Sequence, residues 1–258
     1  MENLEEVWDR LQLNEEENVS IEINLSEESG VKAKRSLVGK IISNRVISKE
    51  VVRRTMEKIW RVGKLLEFHE FRANSFIITF ANPGDKNRVL GGKPWQFDNC
   101  LFVLKPFDGF TQPHKMRFDN EEFWVQMHNL PLACMNKCIG EQIGATIEKV
   151  VEVDAGEDGM GWGSFLRIRI ECDLNKVVAR GRTVNLQGMN MWVPFMYEKL
   201  SRMCFRCGRI LHPEQGCPGE VVGAVGQFGP WLRASIVKFK KSDESRMRAD
   251  EEMSGVGN

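Results

Sequence analysis

The chain has 258 residues, 42% of them apolar, which suffices for one or two domains with proper cores. Its apolar runs fall short of the ~18 residues of a membrane span and its N-terminus is acidic; this excludes a membrane span and a secretory or transit peptide, and suggests a soluble intracellular protein of the nucleus and/or cytoplasm. The formal net charge of zero conceals a segregation, with −9 over residues 1–30 and +9 over residues 31–110, and such a basic block suits a polyanionic partner as well as an ordinary solvated surface.

Residues 1–30 are expected to be an acidic leader, partly disordered. Within it Leu4, Val7, Trp8 and Leu11 share one face of a short helix, and Val19, Ile21, Ile23 and Leu25 alternate as a strand would, before Ser26-Glu27-Glu28-Ser29-Gly30 breaks the pattern. Residues 31–108 then read as a strand over 36–42, a helix from 48 to about 63, strands over 65–71 and 74–80, a short helix through Leu90, and a last strand over 96–105. Ser48 is placed to cap the first helix, whose buried stripe is Val52, Met56, Ile59 and Trp60. The βαββαβ order predicts an α+β, ferredoxin-like basic domain, a fold that RNA-recognition modules share with many unrelated proteins. Those modules stack bases on aromatic residues of the two central strands. Here Phe76, Ile78 and Phe80 fall on one face as core, and Leu37 stands where an aromatic would be needed. Any nucleic-acid contact by this domain would then be electrostatic, through Lys34, Arg35, Arg53 and Arg54 with Lys32 and Lys64 nearby, unless the domain binds protein instead.

After a linker at 106–113, residues 109–200 read as a second, β-rich α+β region. Strands are expected over 123–128, 146–153, 164–172, 183–186 and 191–197, with a short helix over 137–144. The glycine-rich loop 156–163 lacks a Gly-Lys-Ser/Thr ending and reads as a hairpin connection rather than a phosphate cradle. Arg167 and Arg169 would form a modest basic stripe. His128, Cys134 and Cys138 supply only three ligand types at irregular spacing and read as packing. With Cys100 and Cys172 they fit reduced thiols rather than a disulfide framework.

The sharpest pattern is Cys204, Cys207, His212 and Cys217, spaced C-x2-C-x4-H-x4-C within residues 201–218. Three thiols and one imidazole complete a tetrahedral set for one structural zinc ion and leave no open position for a catalytic water. A segment this short cannot bury enough apolar surface to offset its own ordering, whereas metal binding on the order of 10 kcal/mol can. Residues 219–258 are expected to be a mostly disordered tail. No nucleophile–base pair, paired carboxylates or open metal site emerges, so no enzyme activity and no small-molecule substrate are expected.

Taken with Tyr197-Glu198-Lys199-Leu200 before the cluster and Phe228-Gly229-Pro230-Trp231-Leu232-Arg233-Ala234 after it, the chain resembles a plant retrotransposon-associated family. In that family a domain of unknown function precedes a CCHC zinc knuckle in LINE-type elements. Leu37-Val38-Gly39-Lys40, Gly92-Lys93-Pro94-Trp95, Phe123-Trp124-Val125-Gln126, Asn129-Leu130-Pro131-Leu132 and Leu166-Arg167-Ile168-Arg169-Ile170 extend the likeness to nearly residues 1–235. The resemblance implies zinc binding and nucleic-acid binding without catalysis. The chain departs from base-gripping knuckles in having Leu211 before His212 and no aromatic in Pro213-Glu214-Gln215-Gly216. Single-stranded RNA or DNA would be met weakly, through Phe205 with Leu211 beside it, and through Arg206 and Arg209; Phe205 could equally be the knuckle's hydrophobic plug. The alternative function is a protein-interaction or assembly module, with self-association and a knuckle that docks a protein.

Overall fold

The computed structural model describes residues 8, 10–22, 27–63, 66–212, 216–217 and 226–235. Leu4, Val7, Ile23, Leu25, Lys64, Leu65, 213–215 and 236–258, on which several expectations fell, lie outside the described residues. The architecture is α+β, with two five-stranded antiparallel sheets, few helices and a CCHC knuckle, in agreement with the expected class.

The first sheet grows from helix α1 (Glu27–Lys34), strand β1 (Ser36–Ile41), helix α2 (Lys49–Trp60), β2 (Glu67–Arg72), β3 (Ser75–Thr79), helix α3 (Pro83–Gly91), β4 (Trp95–Phe97) and β5 (Cys100–Pro106). Its order is β2-β3-β1-β5-β4, the ferredoxin-like arrangement with one added edge strand. Two expectations are corrected. Glu27–Gly30, read as a break, begins α1, and Val19 and Ile21 are exposed and lie in no strand. The single strand over 96–105 is a hairpin, because Asp98 and Asn99 take φ of 48° and 59° and turn the chain so that Trp95 pairs with Phe102. Ser48 sits at the N-cap of α2, but its hydroxyl faces Glu50 instead of capping a backbone N–H.

One face of this sheet buries Leu37, Ile41, Phe76, Ile78, Phe102 and Leu104 against Val52, Met56 and Trp60 of α2 and Val89 of α3. Gly39 makes room for the crossing, since a Cβ there would lie 2.6 Å from the Phe102 ring. Buried Asn74, at φ 60°, pins the β1–α2 connection. It accepts from the Ile47 N–H at 2.9 Å and donates to the Arg45 carbonyl at 2.8 Å. On the opposite face Val38, Leu101 and Val103 are fully buried in an apolar cluster shared with Phe123, Val125, Ile168 and Phe195. The β1 and β5 part of the sheet surface that carries stacked bases in RNA-recognition modules is therefore built into the second region's core.

The second sheet comprises β6 (Asn120–His128), β7 (Lys149–Asp154), β8 (Phe165–Asp173), β9 (Gly181–Leu186) and β10 (Met189–Tyr197), in the order β7-β8-β6-β10-β9. Leu166, Ile168 and Ile170 stand opposite Met127, Val125 and Phe123 on one face. Helix α4 (Lys137–Ala145), capped by the Asn136 side chain, covers part of that face. Gly140 and Gly144 allow the approach, because a Cβ at Gly144 would lie 2.5 Å from Val150. The other face carries Trp124, Arg167 and Arg169. Arg167 donates to Glu198 at 2.9 and 2.8 Å and to Asp154 at 3.1 Å, with its guanidinium 3.7 Å from the Trp124 ring centre. Arg169 meets Glu122 at 2.7 Å. The basic stripe read from β8 is thus neutralised by carboxylates from neighbouring strands and from Glu198.

The β4–β5 hairpin joins the two regions. Lys93 contacts buried Glu121 at 3.2 Å, the Lys105 ammonium donates to Asn120 at 2.6 Å, and the Arg202 N–H donates to the Asn99 carbonyl at 2.7 Å. Lys199 donates to the Gly92 carbonyl at 2.8 Å over the Trp95 ring, and Gln96 donates to the Lys199 carbonyl. The backbone that leads into the cysteine cluster is held by the first region.

Candidate metal centre

The knuckle begins where β10 ends. Leu200, Ser201 and Met203 are buried and draw the chain inward, and the Cys204 N–H donates to the Arg209 carbonyl at 2.9 Å while the Gly208 N–H donates to the Cys204 carbonyl at 2.8 Å. This tight turn places both thiols of the first pair on one side. Gly208 takes φ 73°, a left-handed conformation that glycine adopts without strain, and a Cβ there would lie 2.5 Å from the Phe228 ring.

Cys204, Cys207, His212 and Cys217 bring one donor atom each to within 4.8 Å of one another. Cys204 Sγ lies 4.0 Å from Cys217 Sγ, and Cys207 Sγ lies 3.2 Å from His212 Nε2. Tetrahedral zinc with bonds of ~2.3 Å to sulfur and ~2.0–2.1 Å to nitrogen separates its donors by roughly 3.5–3.8 Å, so the four fit the ion. Electrostatics agree. Burial works to raise the Cys204 thiol, but hydrogen bonds from the Cys207 and Arg206 N–H groups, with His212 and Cys207 beside it, bring it down to about 6. Burial and the neighbouring sulfurs push Cys207 the other way, as expected when thiols crowd a site meant to share a dication. The set holds one structural zinc ion, which supplies folding energy rather than an open coordination site.

The centre is seated on the second sheet. The Val178 N–H donates to the Gly208 carbonyl at 2.8 Å, and the Leu211 N–H donates to the Leu174 carbonyl at 2.9 Å. Ile210 is buried in the second region's core, and Leu211 packs against that core rather than beside Phe205. Residues 226–235, read from sequence as part of a loose tail, close over the other side. Phe228 and Leu232 are buried, Arg233 bridges to Tyr197, and the Ala234 N–H donates to the Tyr197 carbonyl at 2.9 Å. Sequence reasoning missed this seat. Its one signal was the apolar Phe228-Gly229-Pro230-Trp231-Leu232 run.

Residues 31–115 match the family model described as Domain of unknown function (DUF4283), and residues 179–219 match a zinc-knuckle model. The chain combines these two modules. A curated relative, an uncharacterized protein of Arabidopsis thaliana, is 24% identical over 131 residues, 50% of this chain, and the chain spans 41% of that relative's length. The crystal structure of the first two RRM domains of yeast poly(U)-binding protein aligns with 53% of this chain and 82% of that chain, at 11% identity and a TM-score of 0.21. That overlap is too slight to bear on function. No helix of the described residues is long and apolar enough to cross a membrane.

The residues expected to touch nucleic acid are placed unequally. Phe205 is 44% exposed at the tip of the first cysteine turn, with Arg206 exposed beside it and Arg209 half-buried; among the described residues no carboxylate pairs with either arginine. In the first region Lys34 and Arg35 lie just before β1, and Arg53 and Arg54 lie on α2, reached from the strand's other end. Arg53 is engaged with Glu57 at 2.8 Å, and Arg54 is exposed. Lys34 ends α1, Arg35 lies in the turn before β1, and the other two are on α2, so the four are not gathered at the knuckle.

Proposed function

We propose that this protein binds single-stranded nucleic acid, RNA in the first instance, through its zinc knuckle, without catalysing a reaction, and that it derives from a plant LINE-type retroelement. The observation that carries the reading is the polarity of the knuckle. Its four ligands, Ile210 and Leu211 face inward or toward one another, while Phe205 and Arg206 project outward. A protruding aromatic followed by an exposed cation that has no carboxylate partner among the described residues suits a base face and its phosphate, and stacking contributes roughly 1–3 kcal/mol per base. Zinc fixes that presentation and does nothing else. The remaining cations, Lys34, Arg35 and Arg54, would add sequence-independent attraction and salt sensitivity. A soluble protein of the nucleus or cytoplasm suits this role.

The test is fluorescence anisotropy of labelled single-stranded RNA and DNA against zinc-loaded full chain. Phe205→Ala should weaken binding about tenfold with zinc content unchanged. Unchanged affinity in Phe205→Ala and Arg206→Ala, alongside stable oligomers or a protein complex, would favour an assembly module instead.

A further inference from the structure

A knuckle with one exposed aromatic is short of a second stacking surface, and none stands between His212 and Cys217. The fold brings aromatic residues to the knuckle from elsewhere. The Phe228 ring lies directly against Gly208, and the Arg180 guanidinium sits over that ring, 5.4 Å from its centre. Arg180 then opens onto a groove of about 330 Å3 lined by Trp192, Pro194, Gln227, Trp231 and Leu232 among others. Each tryptophan rests one side of its indole on a glycine. A Cβ at Gly181 would lie 2.5 Å from Trp192, and a Cβ at Gly229 would overlap Trp231. The indoles nonetheless remain 48% and 53% exposed, which is unusual for the largest apolar side chain when two such residues share one concavity.

The groove's charge indicates its occupant. Among the described residues Arg180 is the one charged side chain that lines it and no carboxylate pairs with it; it donates to the Gln227 side chain. An acidic or neutral pocket would suit other ligands, whereas flat indoles beside a cation suit bases and a phosphate. We propose that Trp192 and Trp231 form a second stacking site for the same single strand, with Arg180 taking a phosphate between it and the knuckle. The site rests on the knuckle reading, and buried Phe228, which packs on Gly208 and lies under Arg180, ties the groove wall to the knuckle backbone. It supplies the second aromatic surface that the knuckle's own sequence lacks, from β10 and from the segment after the cluster.

The experiment compares three forms of the zinc-loaded full chain for binding to oligouridine strands of increasing length: wild type, Phe205→Ala with Arg206→Ala, and Trp192→Ala with Trp231→Ala. The tryptophan variant should lose on the order of tenfold or more on long strands and little on strands short enough to occupy only the knuckle. If the knuckle variant weakens binding at all lengths and the tryptophan variant at none, the second site is wrong and the knuckle reading stands. If only the tryptophan variant weakens binding, the knuckle reading is wrong, and with it the groove's role as a second site on a strand held at the knuckle. Photocrosslinking of 5-iodouridine strands to wild-type protein gives a readout independent of variant folding. Adducts at Trp192 or Trp231 are expected, and adducts confined to Phe205 would overturn the proposal. A proline-rich peptide that binds the groove and is not displaced by oligouridine would overturn it as well.

Discussion

Two pairs of arginines, one on the second sheet and one in the knuckle, are used by the fold in opposite ways. On the second sheet Arg167 and Arg169 flank Trp124 and meet Glu198, Asp154 and Glu122, so their charges are spent within the protein. At the knuckle Arg206 follows the exposed Phe205 and is itself exposed, Arg209 is half-buried, and no carboxylate pairs with either among the described residues. An arginine in a bidentate pair must break charge-assisted bonds before it can bind phosphate, and the carboxylate it leaves is then uncompensated. Residue type and spacing therefore identify a potential phosphate ligand only once its partners are known. Among the described residues the sheet arginines are paired with carboxylates and the knuckle arginines are not.

Zinc removal separates the two regions most strongly. Chelation withdraws binding energy on the order of 10 kcal/mol from the knuckle, whose ordering depends on it, but touches nothing in the Arg167–Glu198 network. Hydrogen exchange should accelerate over 204–212 and at the Val178 amide, which is bonded to the Gly208 carbonyl, while β6 and β8 stay protected. Equal acceleration in both would break the distinction.

Next in size is Glu198→Ala, which leaves Arg167 half-buried with Asp154 alone and should cost about 2 kcal/mol in urea denaturation, a figure reduced from that of a fully buried pair because both groups keep some solvent. Arg206→Ala should cost almost nothing. Two carboxylates give the sign of the pH dependence. Burial works to raise Glu198, but hydrogen bonds from Arg167 and Gln126 hold it below its ordinary 4.5, so its stabilisation is present above that pH and disappears as pH falls through the lowered value. Burial raises Glu121 despite Lys93, so its contribution is greatest below 4.5 and is lost as pH rises through the raised value. Urea titrations from pH 3 to 7 should show Glu198→Gln flattening the acid limb, and Glu121→Gln acting in the opposite sense.

Gly208→Ala tests the seat. A side chain at φ 73° that also meets the Phe228 ring should cost about 1–3 kcal/mol, read as a lower thermal midpoint of the zinc-loaded protein. The smallest effect is chemical. Burial pushes the Cys172 thiol up to about 12, so at neutral pH iodoacetamide should label it far more slowly than exposed Cys138, as mass spectrometry would show.

Much of this was legible in the sequence, for identifiable reasons. The metal ligands were readable because donor chemistry and spacing lie within fourteen consecutive residues. The ferredoxin-like order followed from periodicity and from turn residues such as Asn82-Pro83-Gly84. The β4–β5 hairpin escaped because its turn, Asp98-Asn99, carries no glycine and interrupts an otherwise largely apolar stretch. The burial of Val38, Leu101 and Val103 against a second sheet, the pairing of Arg167 with Glu198 thirty-one residues away, and the return of Phe228 onto Gly208 are all products of tertiary packing, which a linear pattern does not encode.

The central claim, that the knuckle's exposed tip carries the contact with nucleic acid, is tested most directly by salt titration of single-stranded RNA binding in zinc-loaded wild type, Arg206→Ala with Arg209→Ala, and Arg167→Ala. For single strands, the slope of log affinity against log salt shrinks by about 0.7 for each phosphate that the protein ceases to neutralise. The account predicts a slope reduced by roughly 1–1.5 in the knuckle variant and the wild-type slope in Arg167→Ala. A wild-type slope in the knuckle variant, with the reduction appearing in Arg167→Ala, would contradict it.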